Sequence, residues 1–235
     1  MSDIAAESQS RSRRRRRGGE AAPKPPFLSE QLEWGAASYL DNPTEPVNEE
    51  GVEAIHEASM RVLEDVGILF LNDDALDVLE AAGCEVDRET KRVRMDRNFV
   101  IEMAAKAPST FTITPRNPDR EITVGGRQFN FGQVASAPNV MDLDRGRRIG
   151  NRADYQDLLR LSQAYNCIRF NSGYPVEPID IHASIRHLDA HYDMLTLTDK
   201  VIHAYSLGPE RIEDVMEMAR IAGGLTAEEF EARPH

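Results

Sequence analysis

The chain has 235 residues, with 28 Lys and Arg against 40 Asp and Glu and a formal charge of −12. That length suits one large domain, or a small domain plus part of a larger one. No stretch approaches the roughly 20 apolar residues of a membrane-spanning helix. Two cysteines, Cys84 and Cys167, make no disulfide framework. An integral membrane protein and a small secreted scaffold are therefore excluded, and a soluble, cytoplasmic protein is expected.

The charge is unevenly placed. Residues 11–17 read RSRRRRR, with six Arg, and only Asp3 and Glu7 precede residue 18 as acids. Residues 18–235 then carry 22 basic and 38 acidic side chains. An acidic body repels phosphate backbones, so a specific nucleic-acid-binding domain is disfavoured. No apolar segment follows the Arg run, so it is no secretory signal. Residues 1–26, ending in PKPP, read as a disordered Arg-rich tail with a stiff end.

Residues 27–131 read as an α+β extension. Residues 27–41 form a short amphipathic piece carrying Trp34. Asn48 caps a helix over 47–67, with Val52, Ile55, Met60, Leu63 and Val66 on an apolar stripe and Gly67 at its end. Ile68 to Leu71 make a strand, and a helix runs from Asp73 to Ala82. CEVDRETKRVRM is a hairpin. Asp96 caps a helix to about Ala107. TFTITPR, REITVGG and RQFNFG alternate at period two, with Gly125-Gly126 as a turn signal between strands.

From residue 132 the rhythm becomes βα. Strands are expected at Gln133–Val140, Cys167–Ser172 and Val201–Ser206. Helices are expected at Arg152–Ala164, Ala183–Leu197 and Pro209–Ala222. Such units build a parallel sheet with right-handed crossovers. Residues 132–235 hold three of them, whereas a closed (β/α)8 barrel needs about 250 residues. Three parallel strands leave an apolar edge. The expected fold is thus α/β, an incomplete (β/α)8 TIM barrel preceded by the α+β extension. The chain is expected to be the first part of a longer protein, or to pair with another chain.

Chemistry belongs at the C-terminal ends of parallel strands. The candidate pocket there is Gln133, Asn171, Tyr174, His203 and Tyr205, with Ser136, Asn139, Ser172, Gly173 and Ser206 beside them. The set is polar and aromatic with few charges, and suits a small polar or cationic molecule. His182, His187 and His191 fall in IHASIRHLDAH, but Leu188 stands where a zinc-protease helix has Glu. They read as scattered histidines on a solvated helix, with no metal. No glycine spacing makes a phosphate loop. Cys84 and Cys167 read as small core residues.

Several stretches carry a resemblance. They are VNEEGVEAIHEASMRVLEDVGILF, DALDVLEAAGCEVD, KAPSTFTITPRNP, FNFGQVASAPNVMDLDRGRRIG, NRADYQDLLRLSQAYNCIRFNSG, HLDAHYDMLTLTDKVIHAYSLG and IEDVMEMARIAGG. In this order, over about residues 27–235, the chain resembles the amino-terminal half of the trimethylamine methyltransferase (MttB-type, corrinoid-dependent) family. The Arg-rich tip lies outside the resemblance. The resemblance implies a TIM barrel that moves a methyl group from trimethylamine, or a quaternary amine such as glycine betaine, to the cobalt of a corrinoid. It implies a corrinoid protein as partner, and no cofactor bound by this chain alone. A pyrrolysine in trimethylamine-specific members lies in the carboxy-terminal half. No catalytic residue carries over onto a position present here.

Two other readings stand beside it. One is a non-catalytic half-barrel interaction module that completes its sheet with a partner chain, a second copy included. The other is an RNA-associated protein using the Arg tip.

Overall fold

The computed structural model describes residues 31, 33–35, 37–42, 44–204 and 208–232. Trp34–His235 forms one compact unit, and every element below belongs to it. Among the described residues no helix is long and apolar enough to cross a membrane.

Among its described residues, the amphipathic piece before Asn42 contributes a short strand, β1 (Ala37–Ser38). Helix α1 (Glu49–Arg61) starts where expected, because the Asn48 side chain accepts from the Gly51 amide at 2.9 Å and two glutamates occupy the first turn. It does not run straight to its end. Val62–Val66 form a π turn before Gly67. The apolar stripe of α1 is largely uncovered, with Met60 its one buried residue.

Strand β2 (Ile68–Leu69) pairs with β4 (Arg92–Arg94), which also pairs with β3 (Glu85–Asp87). Helix α2 (Asp73–Ala81) lies between β2 and β3 in sequence, capped by Asn72. Helix α3 (Arg97–Ala105) follows, capped by Asp96. Arg97 ties α3 to α1 through the Glu57 carboxylate and to the π turn through that of Glu64, and these bonds hold both carboxyls below the usual range.

Gly67 adopts φ +74°, and a Cβ there would sit 2.5 Å from the Val93 carbonyl oxygen. Gly67→Ala is therefore expected to cost about 1–2 kcal/mol from the left-handed backbone alone, with the carbonyl approach adding to it. A lower urea midpoint at unchanged m-value checks this.

The hairpin of the next segment lies elsewhere than the double glycine suggests. Strand β5 (Thr110–Ile113) pairs with β6 (Ile122–Gly125) across a 3-10 turn at Pro118–Arg120. Gly125 and Gly126 only redirect the chain. The following strand, β7 (Gln128–Phe129), pairs with β1 instead.

A three-stranded parallel sheet follows, in the order β8 (Phe131–Gly132), β11 (Ile168–Asn171), β12 (Val201–Ile202). The first of these strands ends before Gln133, where the sequence places its beginning. Ser136 has φ +59° and Pro138 lacks a donor, so Gln133–Pro138 is loop. The loop leads into an antiparallel hairpin, β9 (Asn139–Asp142) and β10 (Gly146–Ile149). The third strand is shorter than the expected Val201–Ser206; Tyr205 and Ser206 lie outside the described residues.

Helix α4 (Arg152–Ala164) returns the chain to β11, and α5 (Arg186–Leu197) returns it to β12. Helix α6 (Pro209–Gly223) and a short α7 (Ala227–Glu231), opened by a Thr226–Glu229 capping box, close the described chain. The α5 start slips from Ala183 to Arg186 because residues 183–185 form a turn without a side-chain cap. The core sits between α4, α5 and the segment after β11, where Tyr155, Leu159, Tyr174, Val176, Ala190 and Met194 pack together.

Candidate functional site

Side-chain alternation divides the parallel sheet into two faces. Phe170 and Ser172 line a cleft of about 950 Å³. Asn171, between them, is fully buried and bonds instead to Ser162 Oγ of α4 and Thr198 Oγ1. The cleft runs between the β5–β6 hairpin, β12 and α6. Its walls are mainly apolar, including Ile113, Val124, Phe129, Leu195, Val215 and Met216. Arg116, Asp199 and Lys200 are the charged residues along it, and His203 follows the end of β12 within it.

The five sequence candidates therefore separate. His203 lines the cleft. Asn171 braces α4 against β12. Tyr174 lies in the core, its ring edge-on to Tyr155 at 5.7 Å and tilted against His191 at 6.1 Å. Gln133 donates to the Gly173 carbonyl at 3.2 Å and lines a smaller hollow beside α4. Tyr205 is outside the described residues. Ser172, named beside the candidate pocket from the sequence, does line the cleft; sequence reasoning missed Phe170, although the period-two pattern of IRFNS already places it opposite Asn171.

The histidines of IHASIRHLDAH are not solvated as expected. His187 and His191 are buried, and only His182 is exposed. Their spacing of four puts both on the core face of α5. His191 Nδ1 donates to the His187 carbonyl at 2.7 Å, and burial pushes its pKa down. His187 Nε2 donates to Asp214 Oδ2 of α6 at 2.9 Å. Among the described residues no three His, Cys, Asp or Glu side chains gather as a metal site. The cysteines also depart from expectation. Cys167 is exposed, and Cys84 is half-buried with its thiol pKa pushed up by burial.

At the other end of the strands lies a second polar cluster. Lys200, just before β12, is 2% exposed. Its ammonium donates to the Ser162 carbonyl, and to the Tyr165 carbonyl at 2.7 Å. These belong to the last turn of α4, whose carbonyls lack helical partners. Burial first, and nearby Arg120 second, lower its pKa to about 8. Burial raises the neighbouring Asp199 carboxyl. Hydrogen bonds from Asn117 and Gln163, at 2.7 and 2.8 Å, outweigh this and hold it low.

Parallel strands joined by helices, with an apolar cleft along the sheet, define an α/β protein of the βα-repeat class. The trimethylamine methyltransferase (MTTB) family model matches residues 9–235. The chain belongs to that family. The match reaches back across the Arg run, further than the resemblance from residue 27 suggested.

Three relatives fix its neighbourhood. A glycine betaine methyltransferase of Desulfitobacterium hafniense (strain Y51) is 35% identical over 178 residues, 76% of this chain and 37% of the relative. A trimethylamine methyltransferase MttB of Desulfitobacterium hafniense (strain DSM 10664 / DCB-2) is 28% identical, covering 75% of this chain and 36% of the relative. A proline betaine:corrinoid methyltransferase of Eubacterium limosum is 29% identical over 57% of this chain and 27% of the relative. The matched stretch thus spans well under half the length of these relatives.

Proposed function

We propose that this chain supplies the α+β extension and the first βα units of a TIM-barrel methyltransferase. The barrel moves a methyl group from a small methylated amine to a corrinoid held by a partner protein. Further βα units, in the same polypeptide or in a partner chain, complete the sheet. The substrate is trimethylamine or a quaternary amine such as glycine betaine.

The cleft along β11 and β12 carries this reading. It is large for one methylated amine, within the size of ordinary ligand pockets, and its apolar walls suit methyl groups. The faces of a corrinoid ring are broad and apolar, and such a surface fits the approach of one of them. The cobalt supplies the methyl acceptor when the carrier is docked. This chain's residues then have three tasks. Phe170, Val201 and the β5–β6 wall exclude water from the substrate. His203 marks the polar end where a carboxylate or an amine lone pair is met, while the Ser172 hydroxyl donates to the Gln133 carbonyl and holds that loop. The rigid sheet fixes the distance between substrate and acceptor.

Binding tests the cleft directly. Trimethylamine and glycine betaine with labelled methyl carbons are titrated into the assembled enzyme that contains this chain. Saturable methyl shifts, weakened at least tenfold by Phe170→Ala, support the assignment. Unchanged binding in a folded Phe170→Ala protein contradicts it. His203→Ala is expected to leave the free energy of urea unfolding within about 0.5 kcal/mol of the parent, since the residue is exposed. It is expected to lower kcat/KM at least tenfold, measured by release of demethylated amine.

The interaction-module reading rests on the edges of β8 and β12, which have no outer strand among the described residues. A stable oligomer of the chain with no methyl transfer in any assembly favours it.

A further inference from the structure

Trp34 is surrounded by cations. The guanidinium of Arg169 lies 4.4 Å from its ring centre, that of Arg120 4.5 Å, and the Lys200 ammonium 5.4 Å. Three cations converging in an acidic chain call for counterions, and the described residues offer few. Asp199 approaches Arg120 at 3.5 Å, but its oxygens are already bonded by Asn117 and Gln163. Lys200 bonds only backbone carbonyls of α4.

Arg169 is the most informative. It is 5% exposed, and its Nη2 donates to the Glu121 carbonyl at 3.2 Å. Its Nε and Nη1 are buried with no protein acceptor. A guanidinium stacked on an indole uses its faces there and keeps its N–H edges for planar oxyanions. Burial first, and the like charge of Arg120 second, lower the pKa of both Arg169 and Lys200, which adds to the demand. Arg120 is a quarter exposed, so solvent ions reach the cluster on its side.

We propose that Arg120, Arg169 and Lys200, gathered on Trp34 at the N-terminal ends of β11 and β12, form a binding site for a small dianionic oxyanion of the phosphate class. Lys200 also lines the cleft, but the cluster stands at the strand ends away from His203, and it does not depend on the methyl-transfer reading. The oxyanion is free phosphate or the phosphoryl group of a small ester.

Trp34 is the only tryptophan, so its fluorescence reports the site. The full chain is titrated with inorganic phosphate, with glycerol phosphate, and with sodium chloride at matched ionic strength. The expected result is a saturable change with phosphate, half-complete on the order of 1 mM, and none with chloride. An equal response to glycerol phosphate assigns the site to phosphate esters as well; a weaker one assigns it to the free ion. Arg120→Gln is expected to weaken phosphate binding at least fivefold, and Arg169→Gln to abolish it. Arg120 is the safer variant for folding, and circular dichroism verifies both. No saturable response in the parent overturns the proposal, and so does an unchanged response in folded Arg120→Gln.

Discussion

Tyr155→Ala is expected to lower stability by about 3–5 kcal/mol, a large share of the 5–15 kcal/mol that holds a typical domain together. Tyr155 is fully buried at the centre of the core. Its ring meets Tyr174 edge-on, and its hydroxyl donates to the Ala190 carbonyl at 2.9 Å, bridging α4 to α5. Truncation leaves a cavity between two helices that carry the sheet and cannot collapse independently. Tyr155→Phe keeps the ring and removes only the bridge, so it is expected to cost about 1 kcal/mol. Urea unfolding of both variants separates packing from the hydrogen bond. A Phe variant as unstable as the Ala variant would place the energy in the hydroxyl instead.

The second large effect is a pH dependence. Lys200 titrates near pH 8 in the folded protein, against about 10.4 in an unfolded chain. Between these values the unfolded chain holds a proton that the folded chain has released. Unfolding then takes up a proton, so stability from this group rises with pH across that window. Each pKa unit corresponds to about 1.4 kcal/mol, which gives about 3 kcal/mol in total. Other lysines titrate in the same range, so the test is a difference. The stability of the parent minus that of Lys200→Met is expected to grow in the parent's favour from pH 8 to 10.5. Below pH 8 the difference is expected to be flat. A difference that shrinks with rising pH contradicts the buried-cation account.

The helices were legible because their ends carry local signals. Asn48, Asn72, Asp96, Asn151 and Thr226 all cap the helices they precede, and capping is settled by a few neighbouring residues. Strands depend on partners far along the chain. Gly125-Gly126 carries a hairpin signal, but β7 finds β1, some 90 residues earlier. The first parallel strand is displaced for the same reason. Phe131 and Gly132 have a neighbour in β11, while Ser136 and Pro138 turn the chain out of the sheet.

The site was less legible than the fold. Being near the end of a strand does not say which face a side chain takes. Asn171 and Tyr174 follow from their types as polar candidates, yet one braces a helix and the other fills the core. His187 and His191 look solvated beside Asp189 and Asp193. Asp193, however, is buried and bonded by Arg152 at 2.9 Å, so that face of α5 is internal. Only a long-range ion pair reveals this. The cation cluster on Trp34 had no signal at all, because its members lie at positions 34, 120, 169 and 200.

The central claim is that this chain forms part of a methyltransferase acting on small methylated amines. The most direct measurement supplies the assembled enzyme with a reduced corrinoid carrier protein. It follows demethylated amine by mass spectrometry, with trimethylamine and glycine betaine in separate reactions. Loss of one methyl group from at least one substrate, abolished when the carrier is omitted, is the predicted result. No demethylated product from either amine, with a folded enzyme and a carrier that a relative methylates in parallel, would contradict it.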